Sequence, residues 1–257
     1  MTSTSPLATW PVALLIGASG GLGQALARTL AQHHWRVALL ARRAELLHAL
    51  AEDLNAAYGP DTARAYPADV THYDRVEPTY RAVLHDMGRL DAVIYAAGVL
   101  HPSEPDEFDF ARDREVVEIN LTAAMAWLNQ AAIVFRQLQA GHIVGISSVA
   151  GDRGRVAMPA YHAAKAGLTT YLESLRNRLS RHGVHVLTVK PGFIDTPMLA
   201  AARPKATFWV ARPDRVARDI VRAMERRKQV IYTPARWRWV MLVIQHIPSF
   251  IFRRLAF

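Results

Sequence analysis

Residues 12–23 read Val-Ala-Leu-Leu-Ile-Gly-Ala-Ser-Gly-Gly-Leu-Gly, and the predicted architecture follows from this stretch. Its five apolar residues predict a buried β-strand, and a turn with the spacing G-x-x-x-G-x-G comes directly after them. The pattern from Gln24 to His33, with Leu26, Ala27 and Leu30 on one face, then predicts a helix. Together they form a phosphate cradle, because glycines let the backbone approach a pyrophosphate and the helix N-terminus offers free N–H groups. The glycines alone are also typical of a tight turn, and their position between strand and helix favours the cradle.

The second predicted strand, Arg36–Ala41, ends at two arginines, Arg42 and Arg43. In a dinucleotide-binding fold a carboxylate at this point holds the 2′-OH of NAD, whereas an arginine accommodates the 2′-phosphate of NADP. No acid stands here, so we predict that NADP(H) is bound in preference to NAD(H), with Arg42 near the phosphate. The alternative is that both arginines open the following helix and face solvent.

Strands alternate with helices through the first 190 residues. The predicted strands are 12–16, 36–41, 63–67, 90–96, 141–147, 185–190 and 230–232, and the predicted helices are 24–33, 44–58, 73–87, 110–138, 159–182 and 213–228. This alternation implies right-handed βαβ crossovers and therefore an α/β fold, a doubly wound parallel sheet covered on both faces. No break in composition marks a second domain, so we predict one domain over residues 1–257.

A tyrosine and a lysine lie four residues apart in the sequence SSVAGDRGRVAMPAYHAAKAG, residues 147–167. In a helix this spacing places Tyr161 and Lys165 on one face. The ammonium is expected to lower the pKa of the phenol, which makes a proton donor and acceptor that works near neutral pH. Ser147 and Ser148 end the preceding apolar run and bring a hydroxyl to the same place. Taken alone, the pair is also compatible with an ordinary helix that carries Tyr and Lys.

Other polar and small residues stand where predicted strands end or helices are apolar. Asp69 either contacts the adenine or caps the next helix. Asn120 lies within an apolar helical stretch, where a buried amide needs a partner, either a structural hydrogen bond or a water near the site. Ala97 and Gly98 follow the fourth strand and would let backbone lie against a cofactor.

The composition excludes several classes of site. The chain has 257 residues and no cysteine, which rules out disulfides, thiol nucleophiles and thiolate metal sites and agrees with a reducing cytoplasm. The eleven histidines show no metal-ligand spacing, so we predict no metal. The N-terminal stretch 1–11 lacks the features of a signal peptide, and no apolar run is long enough to predict a transmembrane helix.

The net charge of +9 is concentrated at the C-terminal end. Residues 201–257 carry thirteen Lys and Arg against three Asp and Glu, whereas residues 1–200 are nearly neutral. The tail, residues 234–257, is basic, apolar and rich in Trp, and Pro248 divides it into two short helical pieces. Such a segment either lies in a membrane interface or packs on the substrate-side helices or another subunit. The basic residues do not line a polar groove, so we predict no nucleic-acid partner.

Residues 196–212 look irregular and are long enough for a substrate lid. Met198, Phe208 and Trp209 within this segment suggest an apolar or lipid-linked substrate.

These motifs, taken in order, resemble the short-chain dehydrogenase/reductase family over roughly residues 10–233. The sequence departs from the family at Ile16, where Thr or Ser is usual, and at Tyr95-Ala96-Ala97-Gly98, where Asn-Asn-Ala-Gly is usual. Ser148 precedes Tyr161 by the family's spacing of thirteen residues, which favours Ser148 over Ser147. The resemblance implies the catalytic residues Asn120, Ser148, Tyr161 and Lys165. It implies cofactor contacts at Gly17, Ser19, Gly21, Leu22, Gly23, Arg42, Asp69, Ala97, Gly98, Tyr161, Lys165, Pro191, Gly192, Ile194 and Thr196.

The resemblance further implies a Rossmann-type sheet in the order 3-2-1-4-5-6-7 and hydride transfer between NADP(H) and a carbonyl or secondary alcohol. Tyr161 would then be the acid and base, Lys165 would lower its pKa and hold the nicotinamide ribose, and Ser148 would bond the substrate oxygen. Asn120 would hold a water between Lys165 and solvent. We expect a small-molecule substrate, a homodimer or homotetramer, and a cytoplasmic protein with peripheral contact at the inner membrane surface.

A second hypothesis is a non-catalytic, cofactor-binding or membrane-surface interaction protein on the same scaffold, since fold alone does not decide function. The simultaneous presence of Asn120, Ser148, Tyr161 and Lys165 favours the enzyme. The substrate and the direction of reaction are not readable from the sequence.

Overall fold

A computed structural model describes residues 9–104, 106–202 and 207–255. Its centre is a seven-stranded parallel sheet in the order β3-β2-β1-β4-β5-β6-β7, which confirms the predicted topology. The strands are β1 Val12–Ile16, β2 Arg36–Ala41, β3 Ala63–Pro67, β4 Ala92–Tyr95, β5 Gly141–Ile146, β6 Val184–Pro191 and β7 Val230–Thr233.

Helices cover both faces of the sheet. They are α1 Gly21–Gln32, α2 Ala44–Tyr58, α3 Val76–Met87, α4 Phe110–Val117, α5 Ala123–Leu138, α6 Pro159–Leu179, α7 Pro197–Ala202, α8 Pro213–Glu225, α9 Trp237–His246 and α10 Ser249–Phe252. Alternate residues of β1 enter two separate apolar cores, because successive side chains of a strand point to opposite faces. Helices α1, α2 and α8 contribute to one core, and α3, α5 and α6 to the other. The apolar run of β1 is therefore buried completely, as a strand covered on both faces requires.

The helix predicted over residues 110–138 is interrupted by a π-helical turn, Glu118–Thr122. The prediction missed it because helical periodicity alone does not register one inserted residue. Asp109 begins the first part, since its Oδ1 accepts from the backbone N–H groups of Ala111 and Arg112. π-Turns often occur at functional positions, and this one contains Asn120.

The lid segment is more ordered than the sequence suggested. Residues 196–212 were expected to be irregular, but helix α7 forms directly after Thr196, with Pro197 at its first position. At the end of the segment, Ala211 forms an isolated parallel β-bridge with Ile194. Residues 203–206 of the predicted lid lie outside the described residues.

The tail forms the two helical pieces expected on either side of Pro248, namely α9 and α10. The inner face of α9 packs on the turn Val149–Asp152 through Trp237 and Met241, so the tail does pack on the substrate side of its own chain. Its outer face remains exposed. Within the described ranges, no helix is both long and apolar enough to cross a bilayer. Residues 256 and 257 of the tail and residues 1–8 of the predicted N-terminal stretch lie outside the described residues.

Candidate active site

The glycine turn after β1 fits closely against the end of β4. Gly17 has a positive φ of 94°, and a Cβ placed on it would overlap the backbone of Ala96 and Ala97. A Cβ on Gly23 would overlap the carbonyl of Gly17, so the turn closes only around glycine. The sequence expectation of a backbone-lined cradle at the start of α1 therefore agrees with the geometry.

Later segments of the chain arrive at the same edge of the sheet. A Cβ on Gly21 would lie 3.0 Å from Cγ2 of Thr196, and a Cβ on Gly98 would lie 3.0 Å from Oδ1 of Asn120 and 3.7 Å from Nζ of Lys165. Because the strands are parallel, their carboxyl ends meet at this edge. The predicted residues after β1, β2, β3, β4, β5 and β6 thus lie along one edge of the sheet.

Both arginines after β2 face this edge, but they have different partners. Arg42 pairs with Asp69 at 3.6 Å across an exposed gap. Arg43 donates from Nη2 to the carbonyl of Ser19 at 2.8 Å and also bonds its hydroxyl. Arg42 alone was predicted to contact the cofactor, whereas Arg43 is the arginine that is hydrogen-bonded to the glycine turn. The only available signal was its position beside Arg42.

Asp69 is oriented by Thr71, whose backbone N–H and hydroxyl donate to Oδ1 at 2.9 and 2.8 Å. Burial acts to raise the pKa of Asp69, but these hydrogen bonds and the Arg42 charge hold it below its usual value. Asp69 therefore stays charged and holds its own loop. Together with Arg42 and residues of α4 it lines a cavity of about 450 Å³.

Ser148 and Tyr161 lie next to each other, close enough for the Ser148 side chain to lower the pKa of the Tyr161 phenol. Ser147, in contrast, bonds the carbonyl of Lys165 at 2.9 Å and the hydroxyl of Thr169 at 2.7 Å, so it is committed to helix α6. The choice of Ser148 over its neighbour agrees with this arrangement. Met158 and Pro159 begin α6 so that Tyr161 and Lys165 stand one turn apart on its inner face.

Lys165 does not act on Tyr161 as the sequence suggested. Its Nζ donates to the carbonyl of Ile146 at 2.9 Å and lies 5.6 Å from the centre of the Tyr161 ring. Burial lowers the pKa of Lys165 to about 8, while burial raises the pKa of Tyr161 and the Ser148 hydrogen bond offsets part of that rise. The pKa of Tyr161 is therefore raised and not lowered as expected, because desolvation outweighs the opposing effect of Ser148.

Asn120 is fully buried in the π-turn and makes two hydrogen bonds to one residue. Its Nδ2 donates to the carbonyl of Val99 and its Oδ1 accepts from the Val99 N–H, both at 2.8 Å. Tyr95, which stands where the family usually has Asn, donates its hydroxyl to the carbonyl of Ile119 at 2.6 Å. The structural hydrogen bond, one of the two alternatives for Asn120, is thus present. It fixes the end of β4 beside Lys165.

A buried ion pair lies beneath the turn that follows Ser148. Asp152, with a side chain 1% exposed, pairs with Lys190 at the end of β6 and accepts from the hydroxyl of Tyr232 at 2.9 Å. Sequence reasoning missed this network. A lysine within the apolar run of β6 was the available signal, because a buried ammonium requires an anionic partner.

An aromatic cluster covers the segment after β6. The indole of Trp237 lies on Gly192, where any Cβ would overlap it. Phe193, Phe208 and Trp209 surround that indole with ring centres 5.6–5.8 Å away. The tail therefore packs against the segment after β6 of its own chain, which agrees with the alternative in which it packs on the protein itself.

The arrangement fits a nicotinamide dinucleotide. It provides a backbone cradle that tolerates no Cβ, two arginines near the second strand, and a Ser–Tyr–Lys group at the opposite end of the same edge. Among the described residues, no group of His, Cys, Asp and Glu is arranged to hold a metal.

Comparisons with known proteins agree with this geometry. Residues 11–207 match the family model described as short chain dehydrogenase. An uncharacterised oxidoreductase of Myxococcus xanthus is 36% identical over 208 residues, which make up 81% of each chain. An uncharacterised oxidoreductase of Mycobacterium tuberculosis is 31% identical over 231 residues, or 90% of each chain.

Among solved structures, a short-chain dehydrogenase from Sphingobium yanoikuyae in complex with NADPH superposes with a TM-score of 0.80 and 26% identity, covering 93% of this chain and 97% of that one. An actinorhodin polyketide ketoreductase with NADPH gives the same score and identity over 88% of this chain and 96% of that one.

Proposed function

Since this chain belongs to the short-chain dehydrogenase/reductase family of oxidoreductases, we propose that it interconverts a carbonyl and a secondary alcohol with NADP(H). The observation that carries the proposal is the meeting of Ser148, Tyr161 and Lys165 at the edge that also holds the glycine cradle. Members of the family act on small molecules. NADPH is the cofactor named for both solved structures described above.

When bound, the nicotinamide supplies the hydride chemistry. In this proposal the chain contributes position and a proton. Tyr161 carries a phenol whose pKa is raised by burial, so it is protonated at neutral pH and able to donate to a carbonyl oxygen. Ser148 bonds that phenol and presents a hydroxyl to the same oxygen.

Lys165 acts behind the phenol. Its ammonium, with a pKa near 8, is held by the Ile146 carbonyl and is close to titration under cellular conditions. In the proposed scheme it holds the nicotinamide ribose and stabilises the phenolate that remains after proton donation. Asn120 and Val99 fix the adjacent backbone, and a water between Lys165 and solvent remains a prediction.

The preference for NADP(H) rests on Arg42 and Arg43. In the proposal Arg43, anchored on the carbonyl of Ser19, keeps its charge beside the cradle, and Arg42 leaves Asp69 to meet the 2′-phosphate. No carboxylate follows β2 to hold a 2′-OH in its place. The remaining predicted contacts, Leu22, Pro191 and Ile194 among them, lie on the same edge and stay predictions.

The deciding experiment replaces Tyr161 with Phe. We expect reduction of a panel of aldehydes and ketones, followed by NADPH absorbance, to fall by at least about 100-fold, the usual scale of a lost general acid. Binding of NADPH, followed by its fluorescence, should change little. Unchanged turnover in this variant would exclude Tyr161 as the acid. Cofactor binding without turnover of any carbonyl or alcohol by the unaltered protein would favour the non-catalytic alternative.

We also propose peripheral contact of the tail with an anionic membrane. The outer face of α9 exposes 66% of Trp239 and 65% of Val243, although the inner face of the same helix is already apolar and buried. No acidic residue follows Glu225, and Arg236, Arg238 and two later arginines flank this face. A second copy would bring the same positive charge, so anionic lipid is the better partner. A homodimer or homotetramer formed elsewhere, one domain over 1–257 and a cytoplasmic location remain predictions.

A further inference from the structure

Two buried side-chain donors lack hydrogen-bond partners within the part of the chain that the structure describes. They are Nε of Arg155 and Nε1 of Trp237. Buried polar groups of native proteins are almost always paired, so each exception calls for an explanation. Both orphaned atoms are donors, and both residues contact Met241 on the inner face of α9. The two unpaired donors therefore lie in one region of the protein, and this region lacks hydrogen-bond acceptors for them among the described residues.

Arg155 lies close in sequence to the proposed reaction centre. It stands in the segment that joins Ser148 to Tyr161, and its charge acts on His162, the neighbour of Tyr161. Its Nη2 touches Sδ of Met241 at 3.7 Å, a weak contact because a thioether is a poor acceptor. The guanidinium thus faces the space between this segment and the tail helix.

The neighbouring Arg153 shows that hydrogen-bond acceptors are available to a guanidinium in this region. Arg153 donates to the carbonyls of Ile244 and Ile247 at the end of α9 and stacks on the ring of Phe252 at 3.8 Å. These contacts fasten the tail to the loop. Arg155, two residues later, receives nothing comparable.

The nearest carboxylate does not neutralise Arg155. Asp152 acts on its charge through space, but the carboxylate oxygens are already taken by Lys190 and Tyr232. Burial lowers the pKa of Arg155, which records how poorly the charge is solvated. An arginine nevertheless stays protonated in proteins, so the charge persists without a hydrogen-bonded counter-ion among the described residues.

We propose that Arg155 binds an anionic group of the substrate, a carboxylate or a phosphate. The inference rests on the proposed function, because it names the substrate class of the same site. A planar guanidinium with free N–H groups matches both oxyanions, and the substrate would supply the acceptors that the chain lacks. An anion held between the Ser148–Tyr161 segment and α9 would place an attached carbonyl near Tyr161.

The test uses three related ketones with the protein saturated in oxidised NADP⁺, which cannot reduce them: methyl 4-acetylbenzoate, which is neutral, 4-acetylbenzoate, and 4-acetylphenyl phosphate. Dissociation constants are measured by calorimetry in the unaltered protein, in Arg155→Met and in the matched control Arg254→Met, which removes an exposed charge from the same tail. We expect at least one anionic ketone to bind about 10- to 100-fold more tightly than the ester. Arg155→Met should abolish this difference, leave ester binding unchanged and differ from Arg254→Met, which keeps the selectivity.

The two anionic ketones separate the sources of the oxyanion, since preference for one identifies a carboxylate or a phosphate substrate. Arg155→Lys should keep only part of the selectivity, because the charge remains without the planar fork. Arg155→Met should melt at the same temperature as the unaltered protein or higher, because it removes an unpaired buried charge. A clear fall in melting temperature would instead assign Arg155 a structural role and overturn the proposal.

Equal binding of the ester and both anions by the unaltered protein would also overturn it, as would selectivity that survives Arg155→Met. These binding measurements need no turnover. Tyr161→Phe should keep the anion selectivity while losing activity, so a failure of the proposed reaction and a failure of the anion site give different results.

Discussion

The cofactor side and the substrate side of the proposed site differ in how completely their polar groups are hydrogen-bonded within the chain. On the cofactor side, Gly17 packs against the backbone of Ala97 and Arg43 donates a hydrogen bond to Ser19. The side-chain amide of Asn120 is hydrogen-bonded to the backbone of Val99. On the proposed substrate side, two buried donors lack acceptors among the described residues, and Phe208 and Trp209 remain substantially exposed. The first side is therefore preorganised by the protein, whereas the second is where we propose that a ligand completes the contacts.

The largest expected loss of stability comes from removing Asp152, the buried partner of Lys190. Asp152→Ala leaves the Lys190 ammonium buried without a counter-ion, and we expect the free energy of unfolding to fall by about 3–5 kcal/mol. Urea denaturation measures this change. The control Tyr232→Phe removes only one hydrogen bond and should cost about 1 kcal/mol. Equal effects of the two changes would mean that the ion pair does not hold the turn after Ser148.

The stability of the sheet is expected to depend on pH through a pair of histidines that lies outside the proposed site. His142 and His185 contact each other across β5 and β6 at 3.0 Å, and burial, followed by the His185 charge, lowers the pKa of His142 to about 4. The unfolded chain binds this proton below about pH 6.5, while the folded chain does not until about pH 4. Stability should therefore fall as the pH drops through this window, by up to about 3 kcal/mol.

Denaturant unfolding at several pH values measures that slope. His142→Gln should reduce it without changing NADPH binding at pH 7. A slope that is unaltered in this variant would place the titrating group elsewhere.

A smaller effect is expected on the cofactor side, where two adjacent arginines have unequal anchors. Arg43→Ala removes both a cation and its bond to the glycine turn, so NADPH affinity should fall by about 10- to 100-fold. Arg42→Ala removes an exposed cation and should weaken NADPH binding less, with NADH binding little changed in both variants. Fluorescence titrations with the two cofactors decide this, and parallel losses for NADH would argue against contact with a 2′-phosphate.

The smallest effect on stability is expected at the outer face of the tail. Trp239→Glu with Val243→Glu changes exposed positions only, so unfolding should shift by no more than about 0.5 kcal/mol. Sedimentation with phosphatidylglycerol vesicles should nevertheless drop markedly, while neutral phosphatidylcholine vesicles bind neither protein. The exposed Leu138→Glu on α5 is the matched control, and undiminished sedimentation of the double variant would exclude the tail as the contact.

Much of the cofactor side was predictable because it depends on local sequence. A strand followed by glycines, a strand followed by arginines and the Tyr161–Lys165 spacing each encode their geometry within a few residues. The handedness of the crossovers predicted a parallel sheet, the family resemblance implied its strand order, and the structure confirms both.

The missed features depend on residues distant in sequence. The partner of Lys190 is Asp152, and the indole above Gly192 comes from Trp237, so neither contact has a local signature. The pKa of Tyr161 was misjudged for a related reason, since desolvation depends on the whole surrounding core. The π-turn at Asn120 also escaped detection because a single inserted residue barely alters the apolar pattern.

The contact between Trp237 and Gly192 affects the order in which parts of the protein fold during synthesis. Domains fold from the N-terminus first during synthesis, and the glycine turn is made long before residue 237. Strands β1 to β6 all precede α8, whereas Trp237 follows it. A chain interrupted before residue 237 would therefore contain the glycine turn but lack the indole that covers Gly192.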